Sequence, residues 1–162
     1  MTVYFTDEQI SGRAFAERVL RESCGIRAPR FLRGEHGKPY LADEPLFFSL
    51  THSRGVTFAA VCEEEIGLDA EWRARPLPQA YLRRLSPAER EEDFFRLWTA
   101  KEAYVKFCGG TLADMLPSLR FEKGLLLLNG VPVSAEITFA EADGFCLALC
   151  AASPQTIELR QA

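Results

Sequence analysis

Hydrophobic and polar positions alternate most cleanly in IGLDAEW, where Ile66, Leu68, Ala70 and Trp72 take one face and Gly67, Asp69 and Glu71 the other. A period of two predicts a β-strand with one buried face. LWTAKEAYVK follows the helical period instead, with Trp98, Lys101, Glu102 and Val105 at i, i+3, i+4 and i+7 on one stripe. That stripe places a lysine and a glutamate where apolar side chains would continue it. The helix is therefore expected to border a partly buried polar site rather than a plain core.

The same patterning predicts the other elements. Thr6 and Gln9 form a capping box, with Phe5 against Ile10 as its staple, predicting a helix from there to about Cys24 that stops at Gly25. The Pro/Gly/Arg-rich RAPRFLRGEHGKPYL reads as a connection, LFFSLTHS as a buried strand, and Val56 to Cys62 as a second strand. Glu63, Glu64 and Glu65 turn the chain into IGLDAEW. Ser86, Pro87 and Glu89 supply an N-cap, a first-turn proline and a capping-box acid, predicting a long helical segment that ends at Gly109 and Gly110. LRFEKGLLLLNG and AEITFAEADGFCLALCAA finish the chain as strands, the latter a hairpin turning at Asp143-Gly144.

Composition adds bounds. With 162 residues, 48% hydrophobic and 26% charged, the chain fits one globular domain with its own core. Its net charge of -4 provides no global basic field, which argues against nucleic acid and requires any phosphate ligand to be held locally. MTVYFTDEQI lacks a basic segment followed by an apolar run, and no window approaches a membrane span, so a cytoplasmic protein without a membrane partner is expected. Five cysteines without a CxxC pair are expected to be reduced, with Cys146 and Cys150 as buried packing.

The candidate chemistry lies where acids meet the helix stripe. Asp69 and Glu71 share a strand face roughly 7 Å apart. Solvated acids on a half-exposed strand are the plain alternative. Glu102 and Lys106 could likewise be a surface i,i+4 pair. If Glu102 is instead drawn into a cleft, Asp69, Glu71 and Glu102 make a hard all-oxygen set suited to Mg²⁺, with Lys38, Lys101 and Lys106 available for phosphates.

GKPYL at Gly37 to Leu41, SLTHS at Ser49 to Ser53, IGLDAEW and LWTAKEAYVK occur in the order and approximate spacing found in 4′-phosphopantetheinyl transferases of the surfactin-synthetase-activating type, which the chain resembles. The likeness extends more loosely to GRAFAERVL and DGFCLALCA. It implies an α+β fold of two pseudo-two-fold related lobes, about 1 to 64 and 65 to 162, each a small antiparallel sheet with a packed helix. It implies an enzyme of the holo-acyl-carrier-protein synthase kind that moves the phosphopantetheine arm of coenzyme A to a serine of an apo acyl, peptidyl or aryl carrier protein, releasing adenosine 3′,5′-bisphosphate.

By that resemblance Asp69, Glu71 and Glu102 hold Mg²⁺, and Lys38, His52 with Thr51 beside it, Lys101 and Lys106 meet the phosphates of coenzyme A. Glu102 also takes the serine proton, with Asp69 and Lys106 counted in the catalytic set. Only 36 residues precede GKP, fewer than usual for this type, which implies a first lobe without its leading strands; Arg13 is then a candidate replacement anion contact, against a plain solvated helix arginine. Two lobes in one chain imply a monomer. A coenzyme A- or carrier-binding module without activity and a Mg²⁺-dependent pyrophosphate hydrolase are the alternatives.

Overall fold

The computed structural model describes residues 1–77 and 79–162. β1 (Thr2–Thr6) leads into α1 (Gly12–Cys24), followed by β2 (Phe31–Arg33), β3 (Pro39–Leu41), β4 (Phe47–Ser53) and β5 (Val56–Cys62). β6 (Ile66–Trp72) and α2 (Gln79–Leu82) precede the long α3 (Phe94–Cys108) and the short α4 (Leu112–Met115). The chain closes with β7 (Leu119–Glu122), β8 (Leu125–Leu128), β9 (Val131–Pro132), β10 (Glu136–Ala142), β11 (Phe145–Ala151) and β12 (Glu158–Gln161). The fold is α+β, as the motif order implies.

Two stretches of chain have the same connectivity. In the first, α1 joins β1 to the β4–β5 hairpin and the strand order is β1-β5-β4; in the second, α3 joins β6 to the β10–β11 hairpin and the order is β6-β11-β10. All of these pairings are antiparallel. β12 then returns to pair in parallel with β1 on the outer edge of the first sheet. The β10–β11 turn at Asp143 and Gly144 has positive φ at both residues, the conformation that suits a two-residue hairpin loop.

Three local predictions are corrected. Thr6 does not open the first helix, because Thr2–Thr6 is a strand with neighbours on both sides, β5 and β12, and Val3 and Thr6 are buried in it. Partners 50 and more residues away outweigh a capping pattern that is purely local. The helix starts later, where Ser11 accepts the Ala14 N–H at 3.1 Å. This strand also means that the first sheet has a leader of its own. Ser86 and Glu89 do make the reciprocal capping bonds, at 3.0 and 3.2 Å, but they close only a single 3₁₀ turn. Glu92 is extended, and α3 begins at Phe94, its N-terminal amides at Phe95 and Arg96 capped by Asp93. Finally, the connection before β4 contains the β2–β3 hairpin, with Phe31 opposite Leu41.

The core explains the halves' relation. One apolar cluster spans both sheets, bringing Val3, Phe58 and Ala60 against Ile66, Leu68, Leu147 and Leu149. α1 covers the outer face of the first sheet with Phe15, Ala16, Val19 and Leu20. α3 covers the second sheet and β7 and β8 through Leu97, Ala100, Ala103 and Val105. Cys146 and Cys150 are buried and unpaired on β11, packing as expected. Among the described residues, no helix is long and apolar enough to cross a membrane.

Candidate functional site

Gly67 sets the distance between α3 and β6. A Cβ there would lie deep inside contact with the Ala103 carbonyl oxygen and 2.5 Å from the Phe107 amide nitrogen, so only glycine lets the helix backbone settle on the strand. The space left beside the acids is thus taken by backbone. Because α3 sits this close, Glu102 reaches the face of β6 that carries Asp69 and Glu71. Each of the three offers a carboxylate oxygen within 4.8 Å of the other two.

Cations and hydroxyls surround them. Lys106 donates to Asp69 Oδ1 at 2.7 Å and to the Leu68 carbonyl at 3.0 Å. Thr51 donates to the same Oδ1 at 2.9 Å, and Ser53 donates to Glu71 Oε2 at 3.0 Å. Arg75 Nη2 lies 2.8 Å from Glu71 Oε1. The other Asp69 oxygen, Oδ2, is buried without any donor. A buried carboxylate oxygen left bare costs about 1–3 kcal/mol or more.

The electrostatics point the same way. Burial pushes Glu102 up to about 7; the Asp69 charge adds to this and Lys106 partly offsets it. Burial also raises Asp69, against Lys106 and Thr51, and raises Glu71, against Arg75. Three crowded acids that resist ionisation, one oxygen unsatisfied, form a donor set that a hard divalent cation would complete. The residues fit such an ion.

The remaining candidates are placed elsewhere. Lys101 is 4% exposed and forms a buried ion pair with Glu89, itself 1% exposed. Burial raises the Glu89 carboxyl, but bonds from Lys101 and from the Ser86 and Phe121 amides outweigh it and hold it below the usual range. The pair therefore ties the 3₁₀ turn and β7 to α3. Lys38 pairs with Glu65 and donates to the Ile66 carbonyl at 3.2 Å, three residues before Asp69. His52 is exposed on β4, alternating with the buried Thr51, and lines a cleft of about 330 Å³ with Gln9, Gly12 and Thr57. Arg13 is exposed, pairs with Glu17 at 3.0 Å and sits 5.3 Å from the Phe31 ring.

So Asp69, Glu71, Glu102, Lys106 and Thr51 come together, and Lys101, Lys38, His52 and Arg13 lie outside that cluster. Arg75 and Ser53 were missed. Arg75 follows Glu71 by four residues, a spacing with meaning on a helix but none past a strand end. Ser53 shares the alternation of Ser49 and Thr51 in SLTHS, a signal present in the pattern of β4.

The chain is similar to known proteins over much of its length. A family profile described as the 4′-phosphopantetheinyl transferase superfamily matches residues 65–150, which hold all three acids and Lys106. The 4′-phosphopantetheinyl transferase AcpT of Salmonella typhi is 31% identical over 160 residues, covering 88% of this chain and 77% of its own. HetI of Nostoc sp. strain PCC 7120, named as the same kind of transferase, is 32% identical over 126 residues, 65% of this chain and 53% of its own. The transferase Sfp of Bacillus subtilis strain 168 is 27% identical over 148 residues, 77% of this chain and 64% of its own.

Proposed function

The chain belongs to the 4′-phosphopantetheinyl transferase superfamily, and on that premise we propose that it transfers the 4′-phosphopantetheine arm of coenzyme A to a serine of an apo carrier protein, in the cytoplasm and as a monomer. The observation that carries the reading is the meeting of Asp69, Glu71 and Glu102 within 4.8 Å, with Asp69 Oδ2 unpartnered. These three would hold Mg²⁺, which when bound neutralises charge on the pyrophosphate and the leaving bisphosphate.

The chain's own residues do the rest. Glu102, on the face of α3 turned to Asp69 and Glu71, is the general base in this reading. It takes the proton of the carrier serine as the serine oxygen bonds to the β-phosphorus. The bond from that phosphorus to the bridging oxygen breaks, and adenosine 3′,5′-bisphosphate leaves with the electron pair. Lys106 favours the ionised form of Asp69 against burial and stands beside the same cleft as a cation for phosphate oxygens. Lys38, just before β3, and His52, exposed on β4, remain phosphate contacts in this reading, whereas Lys101 is a structural partner of Glu89 and Arg13 a surface residue.

The finer assignment, to the surfactin-synthetase-activating type, is supported by the motif order and by the repeated strand-helix-hairpin connectivity within one chain. In that reading, residues 1 to 64 and 65 to 162 are two pseudo-two-fold related lobes, with β12 crossing back to the first sheet. Acyl, peptidyl and aryl carriers are the partner class.

The test incubates the protein with coenzyme A, Mg²⁺ and an apo carrier protein and weighs the carrier. A mass gain of one phosphopantetheine, absent in Asp69→Asn, supports the transferase. Free phosphopantetheine without carrier modification indicates a hydrolase, and binding without turnover a module; either result overturns the proposal.

A further inference from the structure

β4 and β6 run side by side, yet among the described residues no backbone ladder joins them. The seam is made by hydroxyls. Ser49, Thr51 and Ser53 alternate along β4, and all three are buried. Ser49 Oγ accepts the Leu68 N–H at 2.9 Å and Ser53 Oγ accepts the Trp72 N–H at 3.0 Å. Two edge amides of β6 are thereby satisfied by side chains of the other sheet, which an edge strand facing the interior needs.

Two of these hydroxyls do more than close the seam. A hydroxyl has one hydrogen to give. Ser53 spends it on Glu71 Oε2 at 3.0 Å, and Thr51 spends its own on Asp69 Oδ1 at 2.9 Å. Each bond fixes one oxygen of its carboxylate and so fixes where the other points. For Asp69 the free oxygen is Oδ2, the atom without a partner. Lys106 and Arg75 brace the same carboxylates by charge, but both are on β6's own side of the seam, in α3 and just past the end of β6. A third contact tightens the junction beyond Glu71, where the Arg54 guanidinium stacks 3.6 Å from the Trp72 ring.

We propose that Thr51 and Ser53 are positioning residues: from the first sheet, they aim Asp69 and Glu71 of the second at a shared divalent cation. The claim rests on the cation-binding reading of the acid cluster given above. It assigns Thr51 a hydroxyl role toward a carboxylate rather than toward coenzyme A, and gives Ser53 a role that its position in the motif alone does not suggest. Ser49 provides the control. It lies in the same strand and seam, bonds the same partner strand, and touches no carboxylate.

The test reads metal binding directly, without turnover, by Mn²⁺ titration followed by electron paramagnetic resonance on the free protein. Wild type binds one Mn²⁺ and Asp69→Asn abolishes that binding. Thr51→Val and Ser53→Ala each weaken Mn²⁺ binding roughly 10-fold or more, the usual consequence of removing a residue that orients a ligand. Thr51→Ser and Ser53→Thr keep the hydroxyl and recover the affinity. Ser49→Ala lowers the melting temperature but leaves the Mn²⁺ affinity near wild type. If Ser49→Ala weakens Mn²⁺ as much as the other two, seam stability rather than carboxylate aim sets the affinity, and the inference fails. It also fails, alone, if wild type binds and both Thr51→Val and Ser53→Ala bind equally well. Wild type without Mn²⁺ binding overturns the cation reading along with it. Should Thr51→Val not fold, Ser53→Ala and its threonine rescue decide the question, since Ser53 lies nearer the rim, on a carboxylate that is 16% exposed.

Discussion

The two strand-helix-hairpin units share a strand order but not a chemistry. In the first, the residues that α1 buries are Phe15, Ala16, Val19 and Leu20, all apolar. In the second, α3 buries Thr99 and Lys101 among its apolar residues and presents Glu102 and Lys106 toward a strand that buries Asp69. The same scaffold is thus a plain core in one place and a charged cleft in the other. What makes the difference tolerable is the neighbour: the hydroxyls of β4 satisfy two amides of β6 that a lone second unit would leave bare and add a bond to each of its two acids. The cleft belongs to the seam between the units rather than to either one.

The comparison breaks most visibly at Glu102. Glu102→Gln makes the face of α3 more like that of α1 and removes the base while keeping size. Loss of general-base assistance lowers kcat by about 10² to 10⁴ with saturating carrier and coenzyme A. The isosteric amide leaves no cavity, so the melting temperature does not fall. A kcat within a few-fold of wild type would show that Glu102 is not the base.

Glycine substitutions sharpen the contrast in packing. Gly67→Ala drives a methyl into the α3 backbone and costs at least about 1–3 kcal/mol, because neither backbone can give without opening the site. Gly12→Ala in the first unit meets only Leu50 Cδ1 at 3.8 Å and is neutral or stabilising by up to about 1 kcal/mol. Chemical denaturation of both variants checks this; equal effects would mean that the two helices sit on their sheets alike.

A pH series separates the units next. Glu102 titrates at about 7 in the folded, metal-free protein against an ordinary value of 4.5. The folded state therefore keeps a proton that the unfolded chain has released, so this contribution to stability is full below about 4.5 and is lost as the pH rises through about 7. In chelator, the melting temperature should fall across that window. Glu102→Gln should flatten the fall, and Mg²⁺ should remove it; a flat wild-type profile in chelator would show that the acids are not crowded.

The smallest effect is expected at the first unit's surface. Arg13→Ala breaks an exposed i,i+4 pair worth a few tenths of a kcal/mol and leaves the KM for coenzyme A unchanged. A raised KM would bring α1 into substrate binding and narrow the contrast between the units.

Much of this was legible in the chain. The period of two in IGLDAEW places Asp69 and Glu71 together on one face, and the stripe of LWTAKEAYVK places Glu102 and Lys106 one turn apart. The Asp143-Gly144 turn and the Gly25 and Gly109 helix stops follow from local backbone preferences. Such features depend on neighbours within a few residues, so sequence carries them. Tertiary structure alone decided the others. Thr2–Thr6 became a strand because β5 and β12 come to it from far along the chain, and the Ser86–Glu89 cap stopped at one turn because Glu89 is held by Lys101 and the Phe121 amide. Lys101 left the phosphate set for the same reason. Thr51 and Ser53 acquired their partners only when β4 was laid along β6, since a hydroxyl has no preferred acceptor until a fold supplies one at hydrogen-bond distance.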